Sequence, residues 1–170
     1  MNYRIALAAM VVLGLTACGT SPSDTRAQTA RLTPLAMLAQ VRAAGQLGNE
    51  LDVQPLRDPQ VQDLRDAANQ AEQRGDYAGA ARAITQALRL TPDDPDLLQW
   101  QAELALVGKD WRSAESLAIR SYDKGPKLGG LCRRNWSTLR YAREARGDAA
   151  GASVAQQQSG RCAVTPPVRM

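Results

Sequence analysis

Residues 75–92 read GDYAGAARAITQALRLTP, and this stretch contains the clearest structural signal in the chain. A Gly-Asp-aromatic turn opens a helix of mostly small residues, and Pro92 closes it because proline cannot continue a helix. The same pattern of residues recurs 34 positions later, with Asp110 in the place of Asp76 and Pro126 in the place of Pro92. A repeat of this period is typical of a solenoid built from helix–turn–helix units.

Small residues mark the places where the paired helices of such units approach each other. With Val61 as the first position, the eighth, twentieth and twenty-seventh positions of two successive units are small: Ala68, Ala80, Ala87, Ala102, Ala114 and Ser121. This pattern resembles the tetratricopeptide repeat family over residues 59–158. The resemblance implies an all-α fold, an α-solenoid of about three helical hairpins. A generic helical bundle is the alternative.

The third unit departs from the pattern. Asp148 follows Asp110 by 38 residues, so residues 127–130 are interpreted as an insertion in a loop. Arg140 takes a position that should be small, and Gln156 takes one that should be apolar. We expect a degenerate terminal repeat with a polar outer face, as the ends of solenoids require.

Capping residues predict where the helices start. Asp58 and Asp94 each precede a proline and open the first helix of a unit, and Thr33 precedes Pro34 at the start of an N-terminal helix over residues 33–48. Such side chains cap helices, and proline at the first position forgoes only an unpaired donor. The second helices are predicted to start at an aspartate after a turn glycine, in the pairs Gly75 and Asp76, Gly108 and Asp110, Gly147 and Asp148. Because the N-terminal helix is too short to persist alone in water, we expect it to pack on the repeats, as a cap or within their groove.

Residues 1–17 have the features of a bacterial signal peptide and are left out of the fold. Arg4 supplies the positive start, and the apolar run that follows has the length of a signal core, too short to span a membrane as a mature anchor. The stretch from Leu15 to Cys18 resembles a bacterial lipobox, which implies cleavage before Cys18 and lipidation of that cysteine. Gly19 after the cysteine, where inner-membrane retention signals place Asp, implies the outer membrane, on its periplasmic face. An ordinary signal peptide is the alternative.

Both ends of the mature chain are predicted to lie outside the repeats. Residues 18–32 are small and polar without an apolar period, and we interpret them as a flexible tether that begins at the lipidated cysteine. Residues 159–170 form a C-terminal tail, in which Pro166 and Pro167 oppose helix. The tether would hold the folded part a short distance from the lipid surface.

The composition argues against catalysis and against nucleic acid as a partner. The formal net charge is +4 without a clustered basic face, and the chain contains no histidine, the usual proton-transfer group and metal ligand. No catalytic or phosphate-binding motif is present. Asp93, Asp94 and Asp96 cluster at a helix start, where acid is expected because of the helix dipole. We therefore predict no enzyme activity, no cofactor and no metal.

Two cysteines follow the lipidation site. Cys132 lies at the start of the first helix of the third unit, and Cys162 lies just after its second helix. These two ends are neighbours in an antiparallel hairpin, and the periplasm is oxidising, so a structural disulfide is predicted. A redox-active pair is the alternative, although no Cys-x-x-Cys motif supports it.

The tetratricopeptide resemblance implies that the first helices line a concave groove that binds peptides or protein segments. The predicted partner-binding residues are those at groove-facing positions: Arg65, Asn69, Gln99, Trp100, Glu103, Arg134 and Tyr141. Arg65, Asn69 and Arg134 fall where some relatives clamp the C-terminal carboxylate of a partner. Trp100 and Thr138 depart from that clamp. Trp100 is interpreted as a binding anchor or, alternatively, as packing under the N-terminal helix or the neighbouring unit.

Together these patterns predict a lipid-anchored, periplasm-facing adaptor for protein–protein interactions in envelope assembly or maintenance. Its partner would be an envelope protein or peptide segment, and its N-terminal lipid would provide the contact with the membrane. A structural lipoprotein that binds peptidoglycan or self-oligomerises is the alternative. An envelope enzyme or redox protein is favoured less.

Overall fold

A computed structural model of the protein describes residues 32–48 and 57–163, and this part of the chain is all-α, as predicted. The described residues form seven helices and no strand: α1 (Pro34–Gly45), α2 (Pro59–Gln73), α3 (Tyr77–Leu90), α4 (Pro95–Val107), α5 (Trp111–Lys124), α6 (Gly129–Ala145) and α7 (Ala149–Gly160). The predicted signal peptide, the lipidation site at Cys18, nearly all of the tether and the end of the tail lie outside the described residues. Those assignments stay predictions.

The helix starts follow the capping residues that the sequence contains. Each cap side chain accepts a hydrogen bond from a backbone N–H of the first turn, and the caps of α1 to α5 and of α7 are, in order, Thr33, Asp58, Asp76, Asp94, Asp110 and Asp148. The distance from Gly79 N to Asp76 Oδ1, for example, is 2.7 Å. Proline follows the cap in α1, α2 and α4. α6 begins without a side-chain cap, after Leu128.

The turn before each second helix contains one residue in the left-handed backbone region. Gly75 and Gly147 take φ angles of +76° and +83° there, and glycine has no Cβ that opposes this conformation. In the second unit Gly108 lies in the turn, as predicted, but the residue in the left-handed region is Lys109, at φ +61°. Gly108 has a helical φ of −72° and caps α4. Lys109 therefore holds a conformation that costs a non-glycine residue about 1–2 kcal/mol.

Three helical hairpins, α2–α3, α4–α5 and α6–α7, stack side by side, with α3 against α4 and α5 against α6. The six small residues of the repeat pattern have no exposed surface: Ala68, Ala80, Ala87, Ala102, Ala114 and Ser121. Side chains of this size let neighbouring helices approach closely. Ser121 also donates from Oγ to the carbonyl oxygen of Pro95 at 2.7 Å. The result is the helical-repeat-like arrangement that the period predicted.

The third hairpin is held together by different means. Arg140, at a position that is small in the other units, lies partly exposed and donates to Glu144 and Gln156, each at 2.8 Å. The structure contains a disulfide between Cys132 and Cys162, with Cα atoms 5.7 Å apart. This bond ties the start of α6 to the residues just after α7, so the terminal hairpin is closed covalently.

α1 lies on the face formed by α2, α4 and α6, the first helices of the three hairpins, and we call this surface the first-helix face. α1 contacts α4 and α6. Its last residue, Gly45, meets Gly130 at the start of α6, whereas Met37 packs in one cluster with Tyr141 near the end of α6. α1 therefore runs antiparallel to α6. Of the two placements left open by the sequence, the structure has α1 on the groove side of the repeats.

Candidate functional site

α1 divides the first-helix face into two parts. The covered part lies on α4 and α6 against α1 and includes Gln99, Glu103, Arg134, Thr138 and Tyr141. The open part lies on α2 before Glu72, where no close backbone contact with α1 occurs within the described residues, and it includes Arg65 and Asn69. Glu72 itself binds Arg42 of α1 and belongs to the covered part. The predicted partner-binding residues are thus shared between a surface that the protein covers itself and a surface that it leaves open.

Glu103 is the centre of the covered part. Its carboxylate has no exposed surface and accepts hydrogen bonds from three side chains. Arg42 Nε on α1 donates at 3.1 Å, Arg134 Nε on α6 at 2.8 Å, and Gln99 Nε2 on α4 at 2.9 Å. Gln99 donates also to Thr138, at 2.8 Å. One buried carboxylate therefore joins α1, α4 and α6, and buried charges persist in proteins when they are paired in this way.

Arg42 binds a second carboxylate, on α2. Its Nη1 and Nη2 atoms donate to the two oxygens of Glu72 at 2.8 and 2.9 Å, a bidentate arrangement. The indole N–H of Trp100 donates to the same carboxylate. Burial alone would lower the pKa of Arg42, but the hydrogen bond to Glu72 and the charge of Glu103 outweigh burial and raise that pKa. Arg42 is thus a fixed cation that ties α1 to α2 and α4.

The C-terminal end of α1 fits against the backbone of α6. A Cβ atom on Gly130 would lie 2.6 Å from the carbonyl oxygen of Gly45, closer than real Cβ atoms approach. Arg133 Nε donates at 3.0 Å to the carbonyl oxygen of Ala44, one of the groups that a helix end leaves without a partner. The aliphatic part of Arg134 lies directly against Gly45. The contact between α1 and α6 therefore depends on two glycines and two arginines.

Apolar contacts complete the covered part. Met37, Leu38 and Val41 are the buried side chains of α1. Met37 and Val41 pack with Leu106 and Tyr141 from the two helices beneath. Tyr141 is 4% exposed, and its burial raises the pKa of its hydroxyl. This predicted partner-binding residue is a packing residue while α1 is in place.

The open part has a cation without an ion pair. The guanidinium carbon of Arg65 lies 5.3 Å from the centroid of the Trp100 ring, within the range of a cation–π contact. Its Nη1 atom is buried and has no hydrogen-bond partner among the described residues. Burial lowers the pKa of Arg65, and the nearby charge of Arg57 lowers it further. Asn69, one turn further along α2, is exposed to solvent.

Trp100 lies at the border of the two parts and is itself buried, at 7% exposure. It packs with apolar residues of the first two hairpins, among them Val61, Ala68, Leu97 and Leu104. Of the two interpretations of this residue, packing against the neighbouring unit is the one that the structure favours. Gln99 and Glu103 also have no exposed surface. A partner-binding role for these three residues stays a prediction, and it would require α1 to leave.

Sequence reasoning left open whether α1 lies in the groove, and it missed the side chain that ties α1 to the repeats. Arg42 and Glu72 connect α1 to the repeats, and whereas Glu72 takes a groove-facing position in the predicted repeat, Arg42 was not among the predicted site residues. The signal was present in one feature of the sequence. Arg42 directly follows Val41 within the apolar stripe of a helix that otherwise contains no charge, and a lone cation on a buried stripe requires a carboxylate partner.

Comparison with known proteins identifies a structural relative. No protein-family model and no curated protein matches the chain. A solved structure does: the globular C-terminal domain of P. aeruginosa LpoP, with 30% sequence identity and a TM-score of 0.58. The match covers 62% of this chain and 99% of the LpoP chain. The helical domain belongs to the same family as this LpoP domain.

The LpoP-like domain is therefore established by structure, whereas the tetratricopeptide assignment stays a prediction because no family model supports it. Within the described residues, none of the helices has both the length and the apolar character that crossing a membrane requires. The same residues contain no cluster of three or more side chains suited to hold a metal ion.

Proposed function

We propose that this protein is a lipid-anchored adaptor on the periplasmic face of the outer membrane, whose LpoP-like domain binds another envelope protein. The lipobox-like stretch before Cys18 supports the anchor, and the likeness to the LpoP domain supports a role in the envelope. Envelope proteins such as peptidoglycan synthases are the first partners to test. The protein acts by recruitment, without catalysis and without a cofactor.

The observation that carries this proposal is the unpaired Arg65 on the open part of the first-helix face. Its guanidinium is held over the ring of Trp100 with one nitrogen unpartnered. Leaving a buried donor without a partner is unfavourable, so a change in the conformation of this partly exposed side chain that brings the nitrogen to an acceptor from outside would be stabilising. A carboxylate of the partner fits best, because carboxylates bind guanidinium groups in a bidentate manner. The exposed amide of Asn69 would provide a second polar contact.

Each part of the chain has a separate role in this mechanism. The lipid at Cys18 determines location, the predicted tether gives reach, and the open part of the first-helix face gives specificity. The buried contacts between α2 and α3 keep that surface rigid. A rigid surface loses little conformational freedom when the partner binds.

Site-specific photo-crosslinking in intact cells tests the proposal. A photoreactive amino acid is placed at position 69 on α2, and a matched control at position 82 on α3, where the Arg82 side chain is 71% exposed. We expect one discrete adduct from position 69, identified by mass spectrometry as an envelope protein, and none from position 82. The adduct should disappear when Arg65→Glu is combined with the probe. Equal labelling from both positions, or an adduct that survives Arg65→Glu, would contradict the proposal.

The alternative functions predict different outcomes. A structural lipoprotein that binds peptidoglycan would sediment with purified cell wall, and Arg65→Glu would not release it. A self-oligomerising lipoprotein would give an adduct with the mass of two copies of the chain. Sedimentation equilibrium of the purified mature protein separates the second case, because it reports the mass of the assembly directly.

A further inference from the structure

The covered part of the first-helix face contains several buried polar side chains. Gln99, Glu103 and Thr138 have no exposed surface, and the side-chain oxygen of Gln99 has no hydrogen-bond partner in the described structure. The contacts between hairpins, in contrast, are made mainly by alanine and leucine. Polar side chains with spare hydrogen-bonding capacity are typical of a surface that recognises ligands rather than of a permanent core.

α1 has little stability as an isolated helix. It has 12 residues, fewer than an isolated helix needs to persist in water. Its buried apolar side chains are Met37, Leu38 and Val41. Docking must offset the conformational entropy that α1 loses when it is ordered. Segments with few buried apolar contacts open before the rest of a protein unfolds.

The contacts of α1 define what could replace it. Glu72 and Glu103 both bind Arg42, and Glu103 keeps only Arg134 as a cationic partner when Arg42 leaves. Without α1, the surface would thus contain the carboxylates of Glu72 and Glu103 but only one of the two arginines that pair with them in the structure. Beside these carboxylates lie apolar side chains, including that of Leu106, against which α1 packs.

We propose that α1 is a displaceable internal ligand, and that the covered part is a second protein-binding site for a helix of a partner. That helix presents an arginine to Glu72 and Glu103, with apolar side chains one, four and five residues before it, as Val41, Leu38 and Met37 precede Arg42. Competition between α1 and this helix regulates access to the site. The inference rests on the proposed adaptor function but concerns a different surface from Arg65.

The test uses a fluorescent peptide with the sequence of residues 32–48 and the full mature chain. Arg42→Ala in the chain weakens the internal competitor, so the peptide is expected to bind this variant at least 10-fold more tightly than the wild-type chain. A peptide with the same Arg42→Ala change is expected to bind at least 10-fold more weakly than the native peptide. Arg89→Ala on the exposed side of α3 is the matched control in the chain and should leave affinity unchanged.

Hydrogen exchange of the wild-type chain gives a second measurement that needs no variant. The amides of α1 should exchange at least 10-fold faster than those of α4. The inference is overturned if α1 exchanges only together with α4, or if a folded Arg42→Ala chain does not bind the peptide. Either result would leave α1 as a permanent part of the domain. The photo-crosslink from position 69 is scored separately, so failure of this inference and failure of the adaptor proposal are distinguishable.

Discussion

The covered and open parts of the first-helix face contain similar polar side chains, but these side chains have hydrogen-bond and ion-pair partners in the covered part that Arg65 lacks in the open part of the described structure. In the covered part, Glu103 accepts hydrogen bonds from Arg42, Arg134 and Gln99. In the open part, Arg65 has no ion pair and one unpartnered nitrogen among the residues that the structure describes. The difference is the presence of α1, which supplies partners to one part and not to the other. Residue type and position in a repeat therefore do not decide whether a groove residue binds a ligand or stabilises the fold.

The largest expected effect comes from Glu103→Ala. Removal of this carboxylate leaves Arg42 with Glu72 alone and leaves Arg134 without its salt bridge. Breaking a buried ion pair from one side costs about 3–5 kcal/mol, and urea unfolding should show this loss in the free energy of unfolding. Glu144→Ala removes an exposed pair with Arg140 and should cost about 1 kcal/mol or less. Equal losses for the two variants would mean that the covered part has no special importance for stability.

The next effect concerns the helix beneath α1. Replacing Cys132 and Cys162 together by serine opens a loop with a sequence separation of 30 residues. The expected loss is about 3 kcal/mol in the chain-entropy model. Hydrogen exchange should rise most in α6 and α7, and α1 should follow because it lies on α6. An equal rise in α2 and α3 would show that the disulfide stabilises the whole stack rather than the covered part.

Gly130→Ala should weaken the contact of α1 with α6, and its loss in the free energy of unfolding should be smaller than that of the disulfide variant. The new Cβ would meet the carbonyl oxygen of Gly45 at 2.6 Å, and overpacking of this kind costs about 1–3 kcal/mol. Gly160→Ala is the matched control, because no atom lies within 4 Å of its Cβ position. Faster exchange in α1 alone is the expected signature of the first variant. A wild-type exchange pattern would show that α6 shifts to accommodate the methyl group.

The smallest effect on stability is expected from Arg65→Ala. A partly exposed cation–π contact contributes about 0.5–1 kcal/mol, and no ion pair is lost within the described structure. Thermal unfolding should therefore change little, whereas the adduct from position 69 should be lost. A loss of stability near that of Glu103→Ala would show that the two parts of the face do not differ in the way described above.

Much of this fold could be predicted from the sequence because its signals are local. A cap, a proline and a small residue act within a few positions of the chain, and the helix starts and the fully buried Ala68 and Ala114 agree with them. The disulfide followed from hairpin geometry. Lys109 was missed because a lysine at positive φ has no sequence signature, and the neighbouring Gly108 offered a more favourable residue for the turn.

The candidate site was less predictable because it depends on a contact distant in sequence. Arg42 and Glu103 are 61 positions apart, and the apolar stripe of α1 would fit a cap as well as a groove. Site positions that are inferred from a repeat family rest on the assumption that no segment of the chain itself fills the groove. They indicated residues that lie on the first-helix face, but they could not tell which of these residues another segment of the same chain would bury.

The antiparallel arrangement of α1 on α6 also has a mechanical consequence. If Cys18 anchors the chain in a membrane, any tension between the membrane and a bound partner enters the domain at the N-terminal end of α1. Load applied at that end reaches Met37 and Leu38 first and Val41 and Arg42 afterwards, so the contacts give way one after another rather than all together. Sequential peeling needs less force than the simultaneous loss of all contacts. Under such a load, α1 would be the first helix of the domain to lose its contacts.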